Sequence, residues 1–200
     1  MADQVVIQFS TAAPSSYLPF SRGWKNRFSK AICWLGHSQF SHVDFRLEDG
    51  SLLGASDNPM APIIYGNPRG VAVRPHDYQS FGIRRHMIIR TDRADAIIAY
   101  AKSQVGKPFD NGALRNFLSI KFPNAVDARD WRHPDRWFCA ELVIVSFEQG
   151  GYWNGEQLPW PKTRVSPTDT FFAFMMDPNF INKRTFFQVD PLLKMGVHER

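Results

Sequence analysis

The chain has 200 residues, a formal net charge of +5, 44% hydrophobic and 22% charged residues; that is enough for one well-filled core, and with no linker-like stretch a single domain over residues 1–200 is expected. No run reaches the roughly 18 apolar residues that a membrane-crossing helix needs. Two cysteines, Cys33 and Cys139, make no disulfide framework, and the first residues lack a basic segment followed by a long apolar one, so a cytoplasmic protein, released if at all by lysis, is expected.

The mild positive charge suits anionic partners but is scattered, with no specific nucleic-acid surface predicted. Val5 to Phe9 reads as a β-strand, and a loop rich in Ser, Ala and Pro follows it. Ser21 caps an expected helix whose apolar positions Trp24, Phe28, Ala31, Ile32 and Leu35 follow the 3.6-residue period, with Gly36 as its stop. Cys33 lies beside that stripe and reads as packing.

His42 to Leu47 alternates with period two, so Val43, Phe45 and Leu47 face the core while His42, Asp44 and Arg46 share the other face. Asp49-Gly50 is a hairpin signal, and Ser51 to Ser56 returns as the next strand. A two-residue turn sets Asp57 opposite His42, where its carboxylate would hold the imidazole; a longer turn or a bulge would put Ser56 there instead.

Residues 58 to 80, rich in Pro, Gly and Asn, read as a pocket rim containing the short strand Gly70 to Arg74. Arg84 to Arg90 is an expected strand. Thr91 or Asp92 then caps a helix with Ala94, Ile97, Ile98, Ala101 and Val105 on one face, closed by Gly106. A turn at Gly106 to Asp110 leads to an expected helix from Gly112 to Ile120. The polar loop that follows, to residue 136, has no metal-ligand spacing, and neither a metal nor a cofactor is predicted.

Cys139 opens the most informative stretch. Ala140, Val143, Ile144 and Phe147 recur at helical spacing and Gly150-Gly151 stops the pattern, which places Cys139 in the first turn of an amphipathic helix. Free N–H groups and the positive dipole end stabilise an anion there, so Cys139 is a candidate nucleophile, weighed against the ordinary reading of a buried cysteine as a small hydrophobe. Ser166-Pro-Thr-Asp-Thr opens a short helix through Phe171, Phe172 and Met175, and Lys183 to Val189 reads as a last strand. Thiol chemistry needs a nucleophile, a histidine to carry its proton and a polar group to orient that histidine.

Phe40-Ser-His-Val-Asp-Phe45, Gly106-Lys-Pro-Phe-Asp110, Phe138-Cys-Ala-Glu-Leu-Val143 and Val165-Ser-Pro167 together resemble the circularly permuted branch of the NlpC-type papain-like superfamily, which includes relatives of lecithin-retinol acyltransferase. The resemblance spans about residues 25 to 170. It implies an α+β, papain-like fold in which an antiparallel, barrel-like sheet packs against the cysteine-bearing helix. It also implies Cys139 as nucleophile and His42 as base, with Asp57 or Ser56 orienting His42. Two positions depart from the family pattern: Gly54 or Ala55 stands near the usual polar residue of the second strand, and Phe109 replaces the turn tyrosine. The expected function is a cysteine peptidase or amidase, a thiol hydrolase cleaving an amide of a peptide or peptidoglycan-like substrate through a thioester. The alternatives are an acyltransferase or lipid esterase acting on an acyl lipid, and an inactive binding module of the same fold.

Overall fold

The computed structural model describes residues 3–11, 32–33, 39–57, 69–78, 83–113, 133, 135–153, 165–176 and 188–189. Most of the helices expected over 21–35 and 112–120 therefore lies outside the described residues, as does much of the rim at 58–80. Among the described residues the chain is an α+β protein, and none of its helices is long and apolar enough to cross a membrane.

Six strands, β1 (Gln4–Thr11), β2 (His42–Arg46), β3 (Leu52–Ser56), β4 (Gly70–Arg74), β5 (Ile83–Arg90) and β6 (Gln188–Val189), form one sheet in the order β4-β3-β2-β1-β5-β6. Every neighbouring pair is antiparallel. The two-period alternation produces this arrangement directly: Val5, Ile7 and Phe9 of β1 enter the same core as Val43 and Phe45 of β2, Leu53 and Ala55 of β3, and Met87 and Ile89 of β5. The polar alternates are also covered, with Gln8, His42, Asp44 and His86 all buried. A strand buried on both sides needs partners for its polar groups.

The hairpin between β2 and β3 departs from the expected two-residue turn. Phe45 pairs with Leu53 and Arg46 with Leu52. Leu47 donates its N–H to Ser51 O, and Gly50 donates to Leu47 O, each at 2.9 Å. Glu48, Asp49 and Gly50 thus make a three-residue loop, with Gly50 at φ +83°, where a side chain would be strained. Asp49 fixes the loop by accepting from Ser51 N and Oγ at 2.9 and 2.6 Å. The added loop residue moves the register by one, so the expectation that Asp57 stands across from His42 is corrected: carried along the strands, the pairing sets His42 against Ser56 and Asp44 against Gly54.

Three helices complete the described part: α1 (Ala94–Ser103), α2 (Cys139–Gln149) and α3 (Pro167–Met176). Thr91 accepts from Arg93 N at 3.1 Å two residues ahead of the cap, and the residue at the cap of α1 is Arg93, without a side-chain cap. Helix α3 starts with Ser166 and Asp169 capping each other's backbone at 3.1 and 2.8 Å and with Pro167 in the first position, which needs no N–H. Helix α2 lies on β2 and β3 between α1 and α3. Its Phe147 stacks on Phe45 with centroids 6.2 Å apart and meets Phe174 edge-on at 4.7 Å. At its end a Cβ on Gly150 would collide with Ile97, so glycine permits the close approach of α1.

Candidate active site

Two local structures decide where Cys139 stands. Phe138 is extended, with φ −89° and ψ 151°, and Cys139 is the first residue of α2. No side chain caps this end, which leaves its first-turn N–H groups directed outward along the helix axis. The approach to the helix is held by the Gly106 to Asp110 turn: Trp137 N donates to Pro108 O and Asp110 N donates to Trp137 O, both at 3.0 Å. The same turn is tied to β4, because Val71 N donates to Lys107 O and Gly106 N donates to Val71 O at 2.9 Å. Phe109 is buried and packs its ring against Phe138 at 5.7 Å. This contact supports the start of α2 by packing.

His42 is the first residue of β2 and only 7% exposed. Its Nε2 lies 2.9 Å from Asp44 Oδ1, on the next alternate position of the same strand. Its ring also forms a hydrogen bond with the Cys139 side chain. Burial pulls the pKa of the imidazole down. The charge and hydrogen bond of Asp44, reinforced by those of Cys139, outweigh that effect and push it up to about 10. With Nε2–H given to the Asp44 carboxylate, Nδ1 is the nitrogen left to exchange a proton with the thiol.

Asp44 is completely buried. A buried carboxylate needs several partners, and two are in place: His42, and the Tyr78 hydroxyl, which donates to Oδ2 at 3.4 Å. Gly54 makes the space. A Cβ there would overlap Asp44 Oδ1, so the missing side chain on β3 and the carboxylate on β2 are complementary. The polar group against the imidazole thus comes from the histidine's own strand, and β3 leaves room for it.

Of the residues read from the sequence, Cys139 and His42 are brought together. Ser56 is buried nearby and hydrogen-bonds the Tyr78 hydroxyl rather than orienting the imidazole directly. Asp57 pairs with Arg69, with 3.7 Å between Oδ1 and Nη1 and half-exposed side chains. Burial raises its pKa and Arg69 lowers it in part. The carboxylate on the imidazole is Asp44, not Asp57. Asp44 was visible as a residue sharing the face of His42, whereas Tyr78, in a turn after β4, has no periodic signal at all. Among the described residues no group of three His, Cys, Asp or Glu side chains is arranged to hold a metal ion.

No family model matches the chain, and no curated protein matches it.

Proposed function

We propose that this chain is a cysteine-dependent acyl-transfer enzyme, a thiol hydrolase with a permuted papain-like arrangement, and that its substrate is an amide of a peptide or peptidoglycan-like chain. The observation that carries this reading is the chain of contacts from Cys139, at an uncapped helix start, to His42 and on to the buried Asp44.

The thiol proton rests on His42, whose raised pKa favours the imidazolium, and the Cys139 thiolate attacks the carbonyl carbon. The new C–S bond places a negative charge on the carbonyl oxygen, which the Cys139 N–H and the helix start stabilise. The protonated imidazole then gives its proton to the leaving nitrogen, the C–N bond breaks, and an amine departs from a thioester. Water, deprotonated by His42, attacks the thioester, and the acid leaves with the thiolate restored as nucleophile. The Asp44 carboxylate, 2.9 Å from His42 Nε2, stabilises the imidazolium. An ester would follow the same course with an alcohol leaving, which keeps acyl lipids as the second substrate class, and an amine or alcohol in place of water would make the enzyme a transferase.

The test is a stopped-time reaction with an activated acyl ester followed by mass spectrometry of the intact chain. One acyl group on Cys139, formed by the wild type and missing in His42→Ala, is the expected result. An unmodified Cys139, or acylation spread over surface lysines at equal rates in both proteins, would refute the proposal.

A further inference from the structure

The imidazole has a third neighbour that the acyl-transfer scheme does not use. Tyr78 is 2% exposed and follows β4 in a turn where its N–H donates to Pro75 O at 3.1 Å. Its hydroxyl lies 2.8 Å from His42 Nε2 and 3.4 Å from Asp44 Oδ2, and it shares a hydrogen bond with Ser56. From these contacts we infer that Tyr78 is a positioning residue for His42, an inference that rests on the Cys139–His42 reading of the site.

One hydrogen bond to Asp44 Oδ1 fixes a point on the imidazole but leaves the ring free to pivot about it. A second acceptor on the same nitrogen, itself bonded to the other oxygen of the same carboxylate, closes a three-residue ring. One assignment of donors satisfies all three contacts. His42 Nε2–H is shared between Asp44 Oδ1 and the Tyr78 oxygen, and Tyr78 O–H donates to Asp44 Oδ2. A bare Nε2 would set its lone pair against the carboxylate at 2.9 Å. Asp44 Oδ1 and the Tyr78 oxygen together keep a proton on Nε2, so Nδ1 is the nitrogen that exchanges a proton with the thiol.

The arrangement requires a neutral phenol. Burial, then the charge of Asp44, hold Tyr78 well above the ordinary phenol range, with the nearby Cys139 acting in the same sense and Arg74 against it. Among the described residues, Asp44, Arg74, Cys139 and His42 act on the hydroxyl as charged or titratable groups. Arg74 also supplies the platform. Its guanidinium lies 5.3 Å from the Tyr78 ring centre and donates to Gly54 O at 2.8 Å and Gly70 O at 2.6 Å. The cation is thus fixed to β3 and β4, and the phenol rests on it.

Tyr78→Phe keeps the ring on Arg74 and removes only the hydroxyl. The expected result is Cys139 alkylation by iodoacetamide about tenfold slower at pH 7, the size of one hydrogen bond to a charged group. The His42 Hε2 proton should also exchange with solvent faster by at least the same factor in NMR. Alkylation at the wild-type rate from pH 6 to 9 in Tyr78→Phe, while His42→Ala remains slow, would overturn the role of Tyr78 and leave the nucleophile–base pair standing. Wild-type rates in both variants would instead overturn that pair. Should Tyr78→Phe fail to fold, the unmodified protein decides: a cross-relaxation peak between His42 Hε2 and the Tyr78 ring protons is expected, and a detected Hε2 without that peak, or a ring protonated only at Nδ1, rules the role out.

Discussion

Asp44 carries the heaviest electrostatic duty of any single residue in the site. It is fully buried, and its charge is what keeps the deeply placed His42 able to bind a proton. Asp44→Asn preserves shape but removes the charge, and on this account it lowers acyl transfer on the order of 100-fold by letting burial dominate the imidazole. Steady-state rates for Asp44→Asn and Asp57→Asn, measured side by side, check this. Asp57, paired with Arg69 at the surface, should change the rate less than about twofold, since exposed ion pairs contribute little. Equal effects of the two substitutions would contradict the assignment. Alternation already put His42 and Asp44 on one face, so the correct carboxylate was legible in the sequence. The expectation of Asp57 came from preferring a partner at the end of the adjacent strand over a neighbour two residues along the chain.

The hairpin shows how one loop residue redirects such an inference. Asp49-Gly50 was legible as a turn, but not whether Glu48 belonged to it, because residues of the loop carry no periodic signal. The left-handed Gly50 and the hydrogen bonds of Asp49 to Ser51 determine the three-residue form. That shift brings Gly54 to Asp44, and the pair gives a test of the element. Gly54→Ala forces a methyl group into the carboxylate and should cost about 1–3 kcal/mol by overpacking, with a larger fractional loss of Cys139 reactivity than of folded protein. Urea unfolding together with alkylation rates measures both. Helix α2 was read correctly in place, since its apolar period and double glycine are local signals, but not as amphipathic, because Glu141 and Ser146 are buried along with its apolar face. Its aromatic contacts were not legible: Phe147 meets Phe45, Tyr152, Trp153 and Phe174 from three elements. Phe147→Ala should destabilise the fold by about 3–5 kcal/mol, and an unchanged urea midpoint would contradict that packing.

At the scale of the molecule, the class of fold and the strand order near the histidine follow from patterns in the chain, while the joining of distant segments does not. Residues 42, 44, 54, 78 and 139 meet because β2, β3, the turn after β4 and the start of α2 converge, and sequence spacing does not encode that convergence. Folding is coupled to the charge of the site. The folded His42 titrates near 10, above the 6.5 of a free histidine, so its contribution to stability is fully present below about pH 6.5 and is lost as pH rises towards 10. The wild type should therefore lose stability across that window relative to His42→Gln, as read from urea midpoints at pH 6 and pH 9.5. Parallel pH profiles in the two proteins would contradict the coupling. The most direct test of the whole account is the rate of Cys139 alkylation against pH in the wild type and in His42→Ala, with Cys33 as the internal reference. The account predicts fast labelling of Cys139 at neutral pH that collapses in His42→Ala while Cys33 is unaffected. Slow and identical labelling of Cys139 in both proteins would contradict it.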